Sequence, residues 1–114
     1  KVVEQGETKY SKKAKEMINK CRDTLAKKEF YRARFYFRRK SYDVSINILN
    51  EAINEYSDTP TVADLYYLMA KNYFRKREKD KAYSFIKKAK SKIKSNSKLM
   101  ENIEELQEDL KELE

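Results

Sequence analysis

Residues 66–89, YYLMAKNYFRKREKDKAYSFIKKA, decide the fold of this chain. Tyr66, Met69, Ala70 and Tyr73 fall three or four apart, the spacing of one face of a helix. A charged stretch, RKREKDK (75–81), interrupts them. Ala82, Ile86 and Ala89 then resume the same spacing. Small residues at fixed places let two antiparallel helices approach closely, and the rings and branched chains fill the seam between them. The signature also occurs 37 positions earlier. Ala33, Tyr36, Ser45, Leu49 and Ala52 correspond to Ala70, Tyr73, Ala82, Ile86 and Ala89.

This is the helix-turn-helix spacing of a tetratricopeptide (TPR) unit, with a large residue for the usual Trp and Ala for the usual Gly. Such units cannot bury their apolar faces alone, so they stack and offer a concave surface. The reading is therefore an all-α, TPR-like antiparallel helix-hairpin array, with two repeats and flanking N-terminal and C-terminal helices. A flexible lead-in is expected over residues 1–8 and a single domain over 9–114. Repeat one should span about 26–59, repeat two about 60–95, and a capping helix about 97–113.

Composition agrees with this. The 114 residues hold one Gly and one Pro, 40% charged residues, and fourteen aromatics, nine Tyr and five Phe. Few breakers and many Lys, Glu, Ala and Leu favour helix, and rings at helical spacing argue against disorder. The formal charge of +8 divides unevenly, with −6 over residues 101–114 and +14 over 1–100. A basic body with an acidic tail implies an acidic partner or internal pairing.

Outside the repeats, an apolar stripe runs through Tyr10, Ala14, Met17, Ile18, Cys21 and Leu25, then changes phase and resumes at Phe30. It predicts either one long helix or two with a slight kink, and a buried, inert Cys21. Thr8 is the expected cap of this helix. Ser57-Asp58-Thr59-Pro60 reads as a turn, with Thr59 capping the next helix and Pro60 at its first position. Ser95-Asn96-Ser97 opens the last helix, whose Leu99, Ile103, Leu106, Leu110 and Leu113 form a 4-3-4-3 seam. That seam caps the array or pairs with a second helix.

The candidate functional face lies on the first helix of each hairpin. Phe30, Arg34, Phe37 and Arg38 recur as Tyr67, Lys71, Phe74 and Arg75. Rings supply contact area at low entropic cost and adjacent cations select acidic partners. The plainer alternative is ring packing on neighbouring helices, with the cationic stems lying over it. Residues 71–98 also hold twelve Lys or Arg against Glu78 and Asp80. Clustered cations could contact phosphates, but no nucleic-acid module is visible, so nucleic acid is not the expected partner. With no His, no phosphate-cradling Gly-rich loop and no metal-ligand cluster in the sequence, neither an enzyme site, a cofactor nor a small-molecule substrate is expected.

Residues 21–60, CRDTLAKKEFYRARFYFRRKSYDVSINILNEAINEYSDTP, closely resemble the BamD (ComL or YfiO) family. The matching positions are Leu25, Ala26, Glu29, Ala33, Tyr36, Arg39, Tyr42, Ile46, Asn47, Tyr56, Asp58 and Thr59. The likeness extends more weakly from Ala14 to about Ala89. It implies a TPR lipoprotein on the periplasmic side of the bacterial outer membrane. Such proteins bind BamA through its POTRA domains and help fold outer-membrane β-barrel proteins without a cofactor. The family's C-terminal repeats, which these residues resemble, are the part implied to dock on BamA. Lys40 stands where the family has Gly, so that turn is expected to do without positive φ, and Ser57 stands for a Pro. The N-terminal repeats of a typical member, associated with reading substrate signals, have no counterpart here. Cys21 lies mid-helix, so a lipid anchor is expected upstream of Lys1. The alternatives are a generic TPR adaptor for acidic partners and a basic helical nucleic-acid-binding protein.

Overall fold

The computed structural model describes residues 9–93 and 98–113, with side chains from Lys12 onward. The expected lead-in over 1–8, the Thr8 cap, the side chain of Tyr10 and the Ser95–Ser97 helix opening lie outside that description. Among the described residues there are five helices and no strand: α1 (Lys9–Arg38), α2 (Tyr42–Glu55), α3 (Val62–Arg75), α4 (Lys79–Ser91) and α5 (Lys98–Glu112). α1 packs on α2 and α3, α2 on α3, α3 on α4, and α5 on α3 and α4. The protein is an all-α, TPR-like array.

The small residues sit where the hairpins close. Ala33, Ser45, Leu49, Met69, Ala70, Ala82 and Ala89 are fully buried, and Ala52 and Ile86 nearly so. One core joins α1, α2 and α3 around Ile46, Leu49, Leu65 and Met69. A second joins α3, α4 and α5 around Ile86, Ile103, Leu106 and Leu110. Tyr66 and Tyr73 bridge them through Phe85, whose ring stacks on Tyr73 at 5.6 Å between centroids. Each fully buried Leu or Ile contributes about 1.5–3 kcal/mol, so α5 adds substantially to the second core.

Both hairpins turn by the same device. The amide of Ser41 donates to Tyr36 O and that of Lys40 to Phe37 O. Shifted by 37 residues, Glu78 donates to Tyr73 O and Arg77 to Phe74 O. These are paired Schellman closures, which need a left-handed residue after the helix. Lys40 takes φ 67° and Arg77 φ 64°. The expectation for Lys40 is thereby corrected: the turn keeps its positive φ and a Lys bears the steric cost that a Gly would avoid.

Two further expectations change. Thr59 does not cap α3 and Pro60 does not open it, because the turn runs longer and the helix starts at Val62 after Thr61. Thr59 Oγ1 instead donates back to Tyr56 O at 2.7 Å. The α3 N-terminus is tied across the structure, since Thr61 Oγ1 and N both donate to Asp23 Oδ1 of α1, at 2.6 and 3.2 Å. Beside it, Arg22 grips Asp58 with two bonds and donates to Glu55 O at 2.6 Å. These contacts fasten α1 at Arg22 and Asp23.

α1 is one continuous 30-residue helix, about twice the length of its neighbours. The first half of its apolar stripe is not buried. Lys12 through Cys21 are all exposed, including Ala14, Met17, Ile18 and Cys21, and so is Leu25. α2 ends at Glu55 and the chain turns back at the Arg22 contact, so no described element packs there.

Candidate functional site

The parallel course of the first helices follows from the hairpin repeat, which returns α3 to the same side of the array as α1. Ala33 and Ala70 turn into the hairpin seams, and residues one and four places further along turn toward a shared groove. That groove holds a cavity of about 470 Å3. α1 contributes Phe30, Arg34, Phe37 and Arg38, and α3 contributes Tyr67 and Lys71. Phe74 and Arg75 lie one turn further on. They line an adjoining cavity of about 160 Å3 that shares Tyr67 and Lys71 with the first. The eight candidate residues thus occupy one continuous trough in two compartments.

Ring and cation alternate within it. Lys71 Nζ lies 5.2 Å from the Phe37 ring centre and 5.6 Å from that of Tyr67. The Arg75 guanidinium lies 6.0 Å from Phe37 and 5.9 Å from Phe74. Phe37 is therefore shared by cations from α3, a geometry that holds them over a ring face without neutralising them. Among the described residues, no carboxylate forms an ion pair with Arg34, Arg38, Lys71 or Arg75. Burial lowers the pKa of Lys71, and the charges of Arg75, Arg34 and Arg38 lower it further. Three guanidinium groups around one half-buried ammonium give a site held in mutual repulsion, which an anionic group from outside would relieve.

The trough is polar along its length. Asp64, in the first turn of α3, lines it at the end away from the cations. Burial raises its carboxyl pKa, the charge of Asp23 raises it further, and Lys27 opposes both. α5 supplies the remaining wall. Leu99, Asn102 and Glu105 face the larger cavity, and Leu106 and Asp109 the smaller. Burial raises the Tyr67 pKa first, then the charges of Glu105 and Asp109. α5 is thus more than a cap: its apolar stripe seals the second core while two of its acids overlook the groove.

The sequence reading missed Asn72. It is fully buried and its Nδ2 donates to Ser45 Oγ and Leu68 O, both at 3.0 Å, while Ser45 Oγ donates to Ala33 O at 2.9 Å. This chain of bonds ties all three helices behind the groove, and Asn72 Oδ1 has no partner in it. The available signal was Ser45 itself, a polar residue at a seam position that is Ala82 in the other repeat.

Compared with known protein families, the chain matches the model of the YfiO family, described as an outer membrane lipoprotein, over residues 3–92. The matched stretch includes every candidate groove residue of α1 and α3, and ends before α5. No curated protein and no solved structure matches the chain.

Proposed function

This chain belongs to the YfiO (BamD) family of outer membrane lipoproteins, and on that premise we propose that it is a non-catalytic scaffold that binds the POTRA domains of BamA. Membership supports a role in outer-membrane assembly and association with that membrane. The finer reading assigns the contact to the trough between α1 and α3, on the periplasmic side of the membrane, with a lipid as the tether.

One observation carries the choice of surface. Arg34, Arg38, Lys71 and Arg75 gather around half-buried rings with no carboxylate among the described residues paired to them. An array serving only its own stability would gain from pairing or removing those charges, because burying one uncompensated is costly. A folded partner presenting carboxylates and apolar side chains would satisfy both halves of the arrangement. Rings then supply the contact area and the cations select the partner and speed its approach.

The test is binding of soluble POTRA domains to the protein carrying Arg34→Glu and Lys71→Glu together. Binding should be lost while helicity and unfolding midpoint stay close to those of the unmodified chain. Unchanged affinity would remove the trough from the interaction.

A further inference from the structure

We propose that the outward face of α1 is a second docking seam, built for an acidic amphipathic helix of a partner protein. Among the described residues, the large apolar side chains that remain most exposed are Met17, Ile18, Leu25, Tyr31, Phe35 and Val44, and all but Val44 belong to α1. Met17 is 67% exposed, Tyr31 59% and Phe35 50%. Ala26 and Ala33, fully buried, mark the inward side of the same helix. At 100° per residue Met17, Tyr31 and Phe35 fall on the opposite side and Leu25 on its flank, turned away from Phe30 and Phe37 of the trough, with Arg34 and Arg38 on the border between the two faces. An apolar patch that runs on for several helical turns is uncommon on a surface with no partner.

The spacing sets the shape of the occupant. Met17, Cys21, Leu25, Lys28, Tyr31 and Phe35 succeed one another at three or four residues, the seam that one helix offers another lying along it. At its C-terminal end the seam opens into a cleft of about 430 Å3 between Tyr31, Phe35 and the side chains of Arg34, Arg38 and Arg39. Arg39 lies over Phe35 with its guanidinium 4.6 Å from the ring centre. Among the described residues, no carboxylate lines this cleft.

Charge sets the chemistry of the occupant. Lys13, Lys20, Lys28 and Arg38 fall on or beside the outward face by the same helical geometry, and Arg39, just past the helix, reaches it over Phe35. α1 has three acids. Asp23 is engaged by Thr61, Glu29 by Arg32, and Glu16 projects about 100° away from Met17. A second copy of the chain would bring this cationic face against its equal, at a cost in repulsion. The chain's own acidic helix is already committed, with Ile103, Leu106 and Leu110 buried in the second core. A helix bearing leucines on one side and glutamates beside them satisfies both the seam and its charges, with a carboxylate opposite Lys28 fixing the register.

The probe is a fluorescent synthetic helix of four heptads (about 28 residues) with Leu at its seam positions and Glu flanking them, against a twin carrying Lys in place of Glu. Anisotropy titration should show the Glu helix binding at least about tenfold more tightly than the Lys twin, and losing affinity as salt rises. Leu25→Glu with Phe35→Glu should weaken the Glu helix at least about tenfold, and since both residues are exposed, circular dichroism should not change. Lys71→Ala, in the trough, should alter the affinity by less than about twofold. Equal binding of the two helices would overturn the proposal. So would loss of binding in Lys71→Ala but not in the Leu25/Phe35 variant, which would assign the probe to the trough. Concentration-dependent dimerisation of the chain alone, abolished by Leu25→Glu with Phe35→Glu, would overturn it in favour of a second copy.

Discussion

The far side of the second hairpin is sealed, whereas the outer side of the first is open. α5 lays Ile103, Leu106 and Leu110 against Ala82, Ile86 and Ala89, and among the described residues that end of the array has no exposed large apolar side chain. α1 shows the solvent Met17, Leu25, Tyr31 and Phe35 along its whole length. The two hairpins repeat the same pattern at a 37-residue shift, so local sequence did not cause the difference. A repeat unit has two apolar faces, and its neighbour decides which is covered. The matched family region ends at residue 92, so the helix that does the sealing lies outside it.

The contrast can be broken most sharply with one substitution made twice. Leu110→Ala removes a fully buried side chain and should cost about 3 kcal/mol in chemical denaturation, with a cavity left beneath α5. Leu25→Ala deletes the same atoms from the open face and should change stability by less than about 0.5 kcal/mol. Similar costs for the two would mean that α5 does not hold the second core, or that the open face is covered in solution.

A smaller effect sharpens what the hairpins share. Lys40→Gly and Arg77→Gly should each stabilise the protein by about 1 kcal/mol, because each relieves a left-handed residue at an exposed turn. Equal gains in thermal unfolding would establish the two closures as energetic as well as geometric repeats. A loss at either site would show that the side chain there contributes more than its backbone costs.

The smallest effect concerns the clamp that separates the fixed part of α1 from its free end. Hydrogen bonds from Arg22 hold the Asp58 carboxyl below its ordinary range. A depressed carboxyl favours the folded state above the unfolded-state pKa and loses that contribution as pH falls through the folded value. Denaturation midpoints of the unmodified chain and Arg22→Ala should therefore differ near neutral pH and converge in acid. A difference that persists in acid would assign the role of Arg22 to its Glu55 carbonyl bond or its packing on Tyr56.

Much of this was legible before any coordinates. Small residues such as Ala33 and Ala82 must lie where helices touch, and the recurrence of Phe30/Arg34/Phe37/Arg38 as Tyr67/Lys71/Phe74/Arg75 placed rings and cations on one side of each first helix. The errors share a cause. Cys21 and Leu25 sit on an apolar stripe as regular as that of α3, yet stay exposed, because periodicity states that a face is apolar without stating what meets it. Thr59 has the chemistry of a cap, but a long-range carboxylate, Asp23, took the α3 terminus instead. Lys40 took a left-handed turn that its own propensity opposes because two Schellman bonds and the packed hairpin hold it there.

The chain alone determined the helices, their pairing into repeated hairpins and the character of the groove-facing residues. These depend on spacing and side-chain size within a few turns. Tertiary structure decided which apolar faces are covered, that α5 walls the groove with Glu105 and Asp109, and that Asn72 and Ser45 join three helices behind it. Those outcomes depend on contacts between residues far apart in sequence, and no local pattern encodes which distant surface arrives.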